Sequence, residues 1–118
     1  MSKTVLIDHI QHILAASRKC VYFIDGMEQI DFNCDVLKQD AVLMNFIVIG
    51  EAATKIMQKH PDFIETNQHI PWKQIRGLRN QVAHGYFDVD LVTIWNTVKN
   101  RLPELIEQLE NLDYPTLD

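Results

Sequence analysis

Apolar residues Val5, Ile7, Ile10, Ile13, Leu14, Val21 and Phe23 recur at spacings that put them on one side of a helix. The pattern predicts a first helix from about residue 4 to the break at Asp25-Gly26, capped by Thr4 or Ser2. Met27 to Phe32 then form a short connection. Asn33 or Asp35 caps a second long helix, Asp35 to Lys59, which Pro61 ends. Its middle, Ala41 to Ala53, is apolar nearly all round, which predicts the most buried helix of the chain. Gly50 and Ala53 lie three apart and leave room for another helix to come close, a packing role.

Pro61 to Pro71 reads as a polar loop. Pro71 suits the first turn of a third helix, Trp72 to about Ala83, with Ile75, Leu78 and Val82 as its core stripe and Gly85 as its stop. Asp88 or Asp90 opens the last helix, where Leu91, Ile94, Trp95, Val98 and Leu102 face the core. Pro103 kinks it before Leu105, Ile106 and Leu109 resume the stripe. With only four glycines and four prolines, and short links between long helices, the expectation is an all-α, up-and-down bundle of four to five helices. It forms one domain over residues 1–118.

Composition narrows this little further. The chain is 47% hydrophobic and 23% charged, as soluble globular proteins are. The longest apolar run, Ala41 to Gly50, is broken by Asn45 and too short to span a bilayer. No membrane association is expected, and without a signal-peptide pattern a cytoplasmic location is. Cys20 and Cys34 lack metal-ligand spacing and read as reduced, partly buried thiols.

Charge changes the picture more. A net charge of −5 argues against indiscriminate nucleic-acid binding. Yet Lys73, Arg76 and Arg79 fall in one short stretch, with Lys99 and Arg101 further on, while Glu104, Glu107, Glu110, Asp113 and Asp118 make the tail acidic. A local basic site on an acidic protein fits a small contact with a phosphate chain. It fits a solvated helix face equally well, and Lys73 and Arg76 carry both readings.

The richest chemistry lies in Arg79-Asn80-Gln81-Val82-Ala83-His84-Gly85-Tyr86. An imidazole moves a proton near neutral pH, and a guanidinium holds a phosphate. RNA carries its own nucleophile, the 2′-OH. A neutral imidazole can take that proton while an Arg fork steadies the charge developing on the phosphoryl oxygens. Asn80 can donate to the phosphate or orient His84. Read alone, an Arg and a His five apart also occur by chance, and Tyr86 is by default a half-buried aromatic. On an ideal helix Arg79 and His84 are about 140° apart. They converge if the helix frays at Gly85, leaving His84 at its lip, or across a dimer interface.

Other candidates are weaker. His9 and His12 lack a third ligand at a convincing spacing and read as a polar helix face. His60 and His69 read as solvated loop residues, and Trp72 and Trp95 as core or interface anchors. No metal site, cofactor or Gly-rich phosphate loop is expected.

A wider set of residues carries a resemblance. Ile49-Gly50-Glu51-Ala52-Ala53 is followed by Ile70-Pro71-Trp72, then Arg79-Asn80, His84-Gly85-Tyr86, Ile94-Trp95 and Leu102-Pro103-Glu104-Leu105. This order resembles the HEPN superfamily, and within it the HepT-like ribonuclease toxins of toxin–antitoxin pairs. The resemblance implies a helical bundle that dimerises with two R-x4-H motifs facing a shared cleft. It implies metal-independent RNA cleavage, with Arg79 and His84 at the catalytic positions and Asn80 as the supporting polar residue. It also implies a cognate antitoxin, a minimal nucleotidyltransferase that silences the toxin by transferring AMP to Tyr86. The alternative is a non-catalytic HEPN-like interaction or nucleotide-binding module partnering such an enzyme, which has no need of His84.

Overall fold

Two aspartates start two of the helices by the same device. The Asp35 carboxylate accepts the Lys38 backbone N–H at 3.0 Å, and that of Asp90 accepts the N–H groups of Val92 and Thr93 at 3.1 and 3.2 Å. Each satisfies donors that the first helical turn leaves without partners. The Thr93 hydroxyl also donates to Asp90, at 2.7 Å. These bonds hold the exposed Asp90 carboxyl below the usual carboxylate range.

The computed structural model describes the backbone of residues 3–85 and 90–113 and the side chains of residues 5–82 and 90–113. In chain order the helices are α1 (Lys3–Phe23), α2 (Gln29–Asn33), α3 (Val36–Lys59), α4 (Pro61–Thr66), α5 (Trp72–Gly85), α6 (Leu91–Asn96) and α7 (Leu102–Glu110). A π-helical turn, Thr97–Arg101, joins α6 to α7. No strand occurs among the described residues, and the all-α bundle is as expected. Helix α3 packs between α1 and α5, and α1 also packs on α7. No described helix is long and apolar enough to cross a membrane.

The long helices fall close to their expected bounds because their stripes are buried. Ile10, Ile13 and Cys20 of α1, Val42, Phe46 and Ile49 of α3, and Ile75, Leu78 and Val82 of α5 enter one core. Each fully buried aliphatic side chain contributes roughly 1.5–3 kcal/mol. Trp72 and Trp95 are core residues, as expected. The Trp72 indole N–H donates to the Asn67 carbonyl at 3.0 Å, tying the segment before α5 to its first turn.

Several expectations are corrected. Met27 to Phe32 is not a plain connection: it contains most of α2, whose Phe32 is fully buried against Trp95. Asn33 is the last residue of α2, which leaves Asp35 as the cap of α3. The polar loop after Pro61 opens instead as α4, because proline suits a first helical turn. Thr4 lies inside α1 rather than capping it, and Ser2 lies outside the described residues, as does Asp88. The last helix is interrupted by its π turn, in which the Leu102 N–H reaches back five residues to the Thr97 carbonyl. The irregularity lies just before Pro103, which has no N–H to give a regular helix.

Two thiols and two histidines also differ in detail. Cys20 is buried and free, with its thiol pushed up to about 12 by desolvation. Cys34 is free and exposed. His60 is not a solvated loop residue but ends α3, and its Nε2, like that of His9, is buried. Burial, the largest cause, and neighbouring positive charge lower the pKa of both.

The all-round burial expected of Ala41 to Ala53 is met on the faces toward α1 and α5 only. Leu37, Met44 and Val48 are 78, 63 and 39% exposed and lie along one line of α3. The sequence pattern shows that this face is apolar but not what covers it.

Candidate active site

Helix α5 carries the motif, and the way it seats on α3 decides where the motif points. Gly50 of α3 is buried at the crossing. A Cβ at this position would come within 2.6 Å of Arg79 Cβ, 2.9 Å of Arg79 N and 3.1 Å of the Arg76 carbonyl oxygen. The absent side chain lets the two backbones meet at Arg79. The close approach expected is therefore present at Gly50, and the residue it seats is the arginine of the motif.

Trp72, Ile75, Leu78 and Val82 bury the flank of α5 beside this contact. Arg79 is thus fixed at its Cβ and half-exposed at its tip. Its Nε lies 2.5 Å from Oε1 of Glu51, the residue after Gly50, and the two side chains are 51 and 43% exposed. A half-exposed pair of this kind contributes only ~0–1 kcal/mol to folding. It bears on the direction of the guanidinium far more than on stability.

Lys73, Arg76 and Arg79 follow one another at spacings of three and form a basic strip on α5. Lys73, Arg76 and Asn80 are exposed, with Asn80 beside Arg79 at the solvent side. Helix α5 ends at Gly85, as expected, with His84 in its last turn. The helical backbone runs through position 84, so positions 79 and 84 stand about 140° apart around the axis. The His84 side chain, and Tyr86 altogether, lie outside the described residues.

Glu51 is the one residue at this site that its own sequence context did not single out. It appeared only inside the Ile49-Gly50-Glu51-Ala52-Ala53 block, and its partner is 28 residues away (79 − 51). The signal available was the acid next to a glycine suited to a helix crossing. His9 and His12 do not belong to this site: their rings are 6.5 Å apart on α1. Among the described residues, no three or more His, Cys, Asp or Glu side chains are grouped to hold a metal ion.

An all-α bundle with an R-x4-H motif on a helix seated through a glycine defines a HEPN-like helical domain. The family model described as "Ribonuclease HepT-like" matches residues 11–112, and the chain belongs to that family. It is 38% identical, over 70% of this chain and 72% of the relative, to a Thermococcus cleftensis protein named "Probable ribonuclease HepT". A protein of Caldanaerobacter subterraneus subsp. tengcongensis named as a candidate RNase is 31% identical, over 88% of this chain and 90% of the relative. One from Methanocaldococcus jannaschii, similarly named, is 36% identical over 78% and 74%. No solved structure matches the chain.

The crossing makes a direct prediction. Gly50→Ala forces α3 and α5 apart at a cost of about 1–3 kcal/mol, while alanine's better helix propensity returns up to ~1 kcal/mol. The variant should unfold at lower urea concentration than the parent. An unchanged or raised midpoint would show that α5 shifts without penalty.

Proposed function

We propose that this protein is a metal-independent endoribonuclease and the toxin of a toxin–antitoxin pair. The observation that carries the reading is the half-exposed Arg79, seated against Gly50 in a chain matched over residues 11–112 to the HepT-like ribonucleases. Arg79 holds the scissile phosphate, and His84 accepts the proton of the 2′-OH. The freed oxygen attacks phosphorus, and the bond to the 5′-oxygen breaks. The products are a 2′,3′-cyclic phosphate and a 5′-OH end. DNA, without a 2′-OH, is not a substrate. Asn80 supports the phosphate or His84, and the Lys73–Arg76 strip carries the neighbouring backbone.

The active form is a homodimer. Leu37, Ala41, Met44 and Val48 follow the alternating four–three spacing of a helix–helix seam. The three larger side chains are exposed in the single chain. The same line reaches Glu51, the partner of Arg79, so a second copy docked along it faces the site. That copy's His84, acting in its protonated form, then gives a proton to the leaving 5′-oxygen.

A cognate nucleotidyltransferase antitoxin switches the enzyme off. The phenol oxygen of Tyr86 takes AMP from ATP, the α–β phosphate bond breaks and pyrophosphate leaves. The added phosphate competes with RNA for Arg79 by charge, and the base competes by bulk.

Three measurements check these parts separately. Arg79→Ala and His84→Ala should each slow cleavage of RNA by the purified protein ~10²–10⁴-fold. Parental rates in both variants would rule out the assignment. Met44→Glu should turn a dimer into a monomer in analytical ultracentrifugation, and a parent that is already monomeric contradicts the shared cleft. Incubation with the antitoxin and ATP should add the mass of one or more AMP units, which Tyr86→Phe abolishes. Modification that persists in that variant places the site elsewhere.

A further inference from the structure

We propose that Glu51 is a positioning residue for RNA cleavage, one that aims the Arg79 guanidinium at the phosphodiester. The inference rests on Arg79 being the group that holds that phosphate. Three observations lead to it. Gly50 and Arg79 meet so closely that the Cβ of Arg79 has one place relative to α3. Glu51 is the next residue of α3, so the same contact fixes the start of both side chains. The carboxylate meets the guanidinium at Nε, with Oε1 2.5 Å away.

The choice of nitrogen matters. A guanidinium presents five N–H donors in a planar fork. A carboxylate at the Nε edge leaves the edge formed by Nη1 and Nη2 for a second acceptor. That edge matches two phosphoryl oxygens, the bidentate geometry in which arginine surpasses lysine. A free arginine side chain samples many rotamers, and each must be abandoned before the fork can meet the phosphate. Glu51 removes that search before substrate arrives. Both side chains are half-exposed, so solvent screens the carboxylate from the incoming phosphate.

The opposite reading makes Glu51 a competitor that RNA must displace, and the two predict opposite signs. If Glu51 aims Arg79, its removal slows the chemical step and leaves RNA binding nearly unchanged. If it competes, its removal speeds cleavage or tightens binding.

The test is single-turnover cleavage and RNA affinity for the parent, Glu51→Ala and Glu51→Gln, each also in an Arg79→Lys background. Circular dichroism confirms that the variants are folded. Glu51→Ala should lower the cleavage rate about tenfold or more, toward the ~10²-fold that a misplacement of about 1 Å can cost, with little change in affinity. Glu51→Gln keeps an oxygen for Nε and should recover most of the rate. Lysine has no Nε edge to be aimed by, so Glu51→Ala should cost little in the Arg79→Lys background. A Glu51→Ala protein that cleaves as fast as the parent or faster overturns the proposal. So does a Glu51→Gln protein no better than Glu51→Ala, or an undiminished loss in the Arg79→Lys background. Arg79→Ala and His84→Ala distinguish the levels. If both retain cleavage, the ribonuclease assignment itself fails; if both lose it while Glu51→Ala is normal, only the role of Glu51 fails.

Discussion

The contact between Gly50 and Arg79 is the constraint on which the rest of this site depends. Helix α5 is amphipathic and short, and its packing against the core leaves it free in principle to slide or roll on α3. The glycine removes that freedom. With no Cβ between them, the backbones of α3 and α5 approach until Arg79 Cβ and N sit where a side chain at position 50 would be. Packed interiors do not deform continuously, so this approach sets one register. Buried Trp72 at one end of α5 and buried Val82 near the other hold it there. The motif's arginine thus inherits its position from the core, while its charged tip remains in solvent.

Charge is handled in the same local way. An excess of five negative charges opposes the approach of a polyanion, and the acidic end of α7 adds to that field. Lys73, Arg76 and Arg79 concentrate positive charge along one strip of α5. Glu51 subtracts from that strip. A residue retained only for attraction would not be paired in this way, which is why the pair is better understood through direction than through charge. The half-exposure of both partners makes the cost to the field small.

What the sequence made legible follows from the range of each interaction. Caps such as Asp35 and Asp90, and stripes such as Ile75, Leu78 and Val82, act within a few residues, so spacing alone reveals them. Helices α2 and α4 have five and six residues. Neither is long enough for a period to show, and α2 is held by Phe32 packing on Trp95, a contact across 63 residues (95 − 32). The Glu51–Arg79 pair is of the same kind. The bundle could be read from the chain, but the partner of its chief candidate residue could not. The apolar middle of α3 shows a different limit. A hydrophobic face announces that it is to be covered, but carries no mark of whether its own chain or another copy covers it.

That last distinction joins the site to the surface. The helical backbone of α5 continues through position 84 to Gly85, which leaves the positions of arginine and histidine about 140° apart on one helix. The exposed line through Leu37, Met44 and Val48 leads to Glu51 and so to Arg79. In the proposed dimer, a two-fold axis along this line would present each arginine to the other copy's α5, because an isologous contact repeats every interaction in both directions. On this account the apolar seam and the separation within the motif are two aspects of one arrangement. Such a seam would explain why one face of α3 is apolar without being buried. The separation explains why an active site would need the surface that the seam covers.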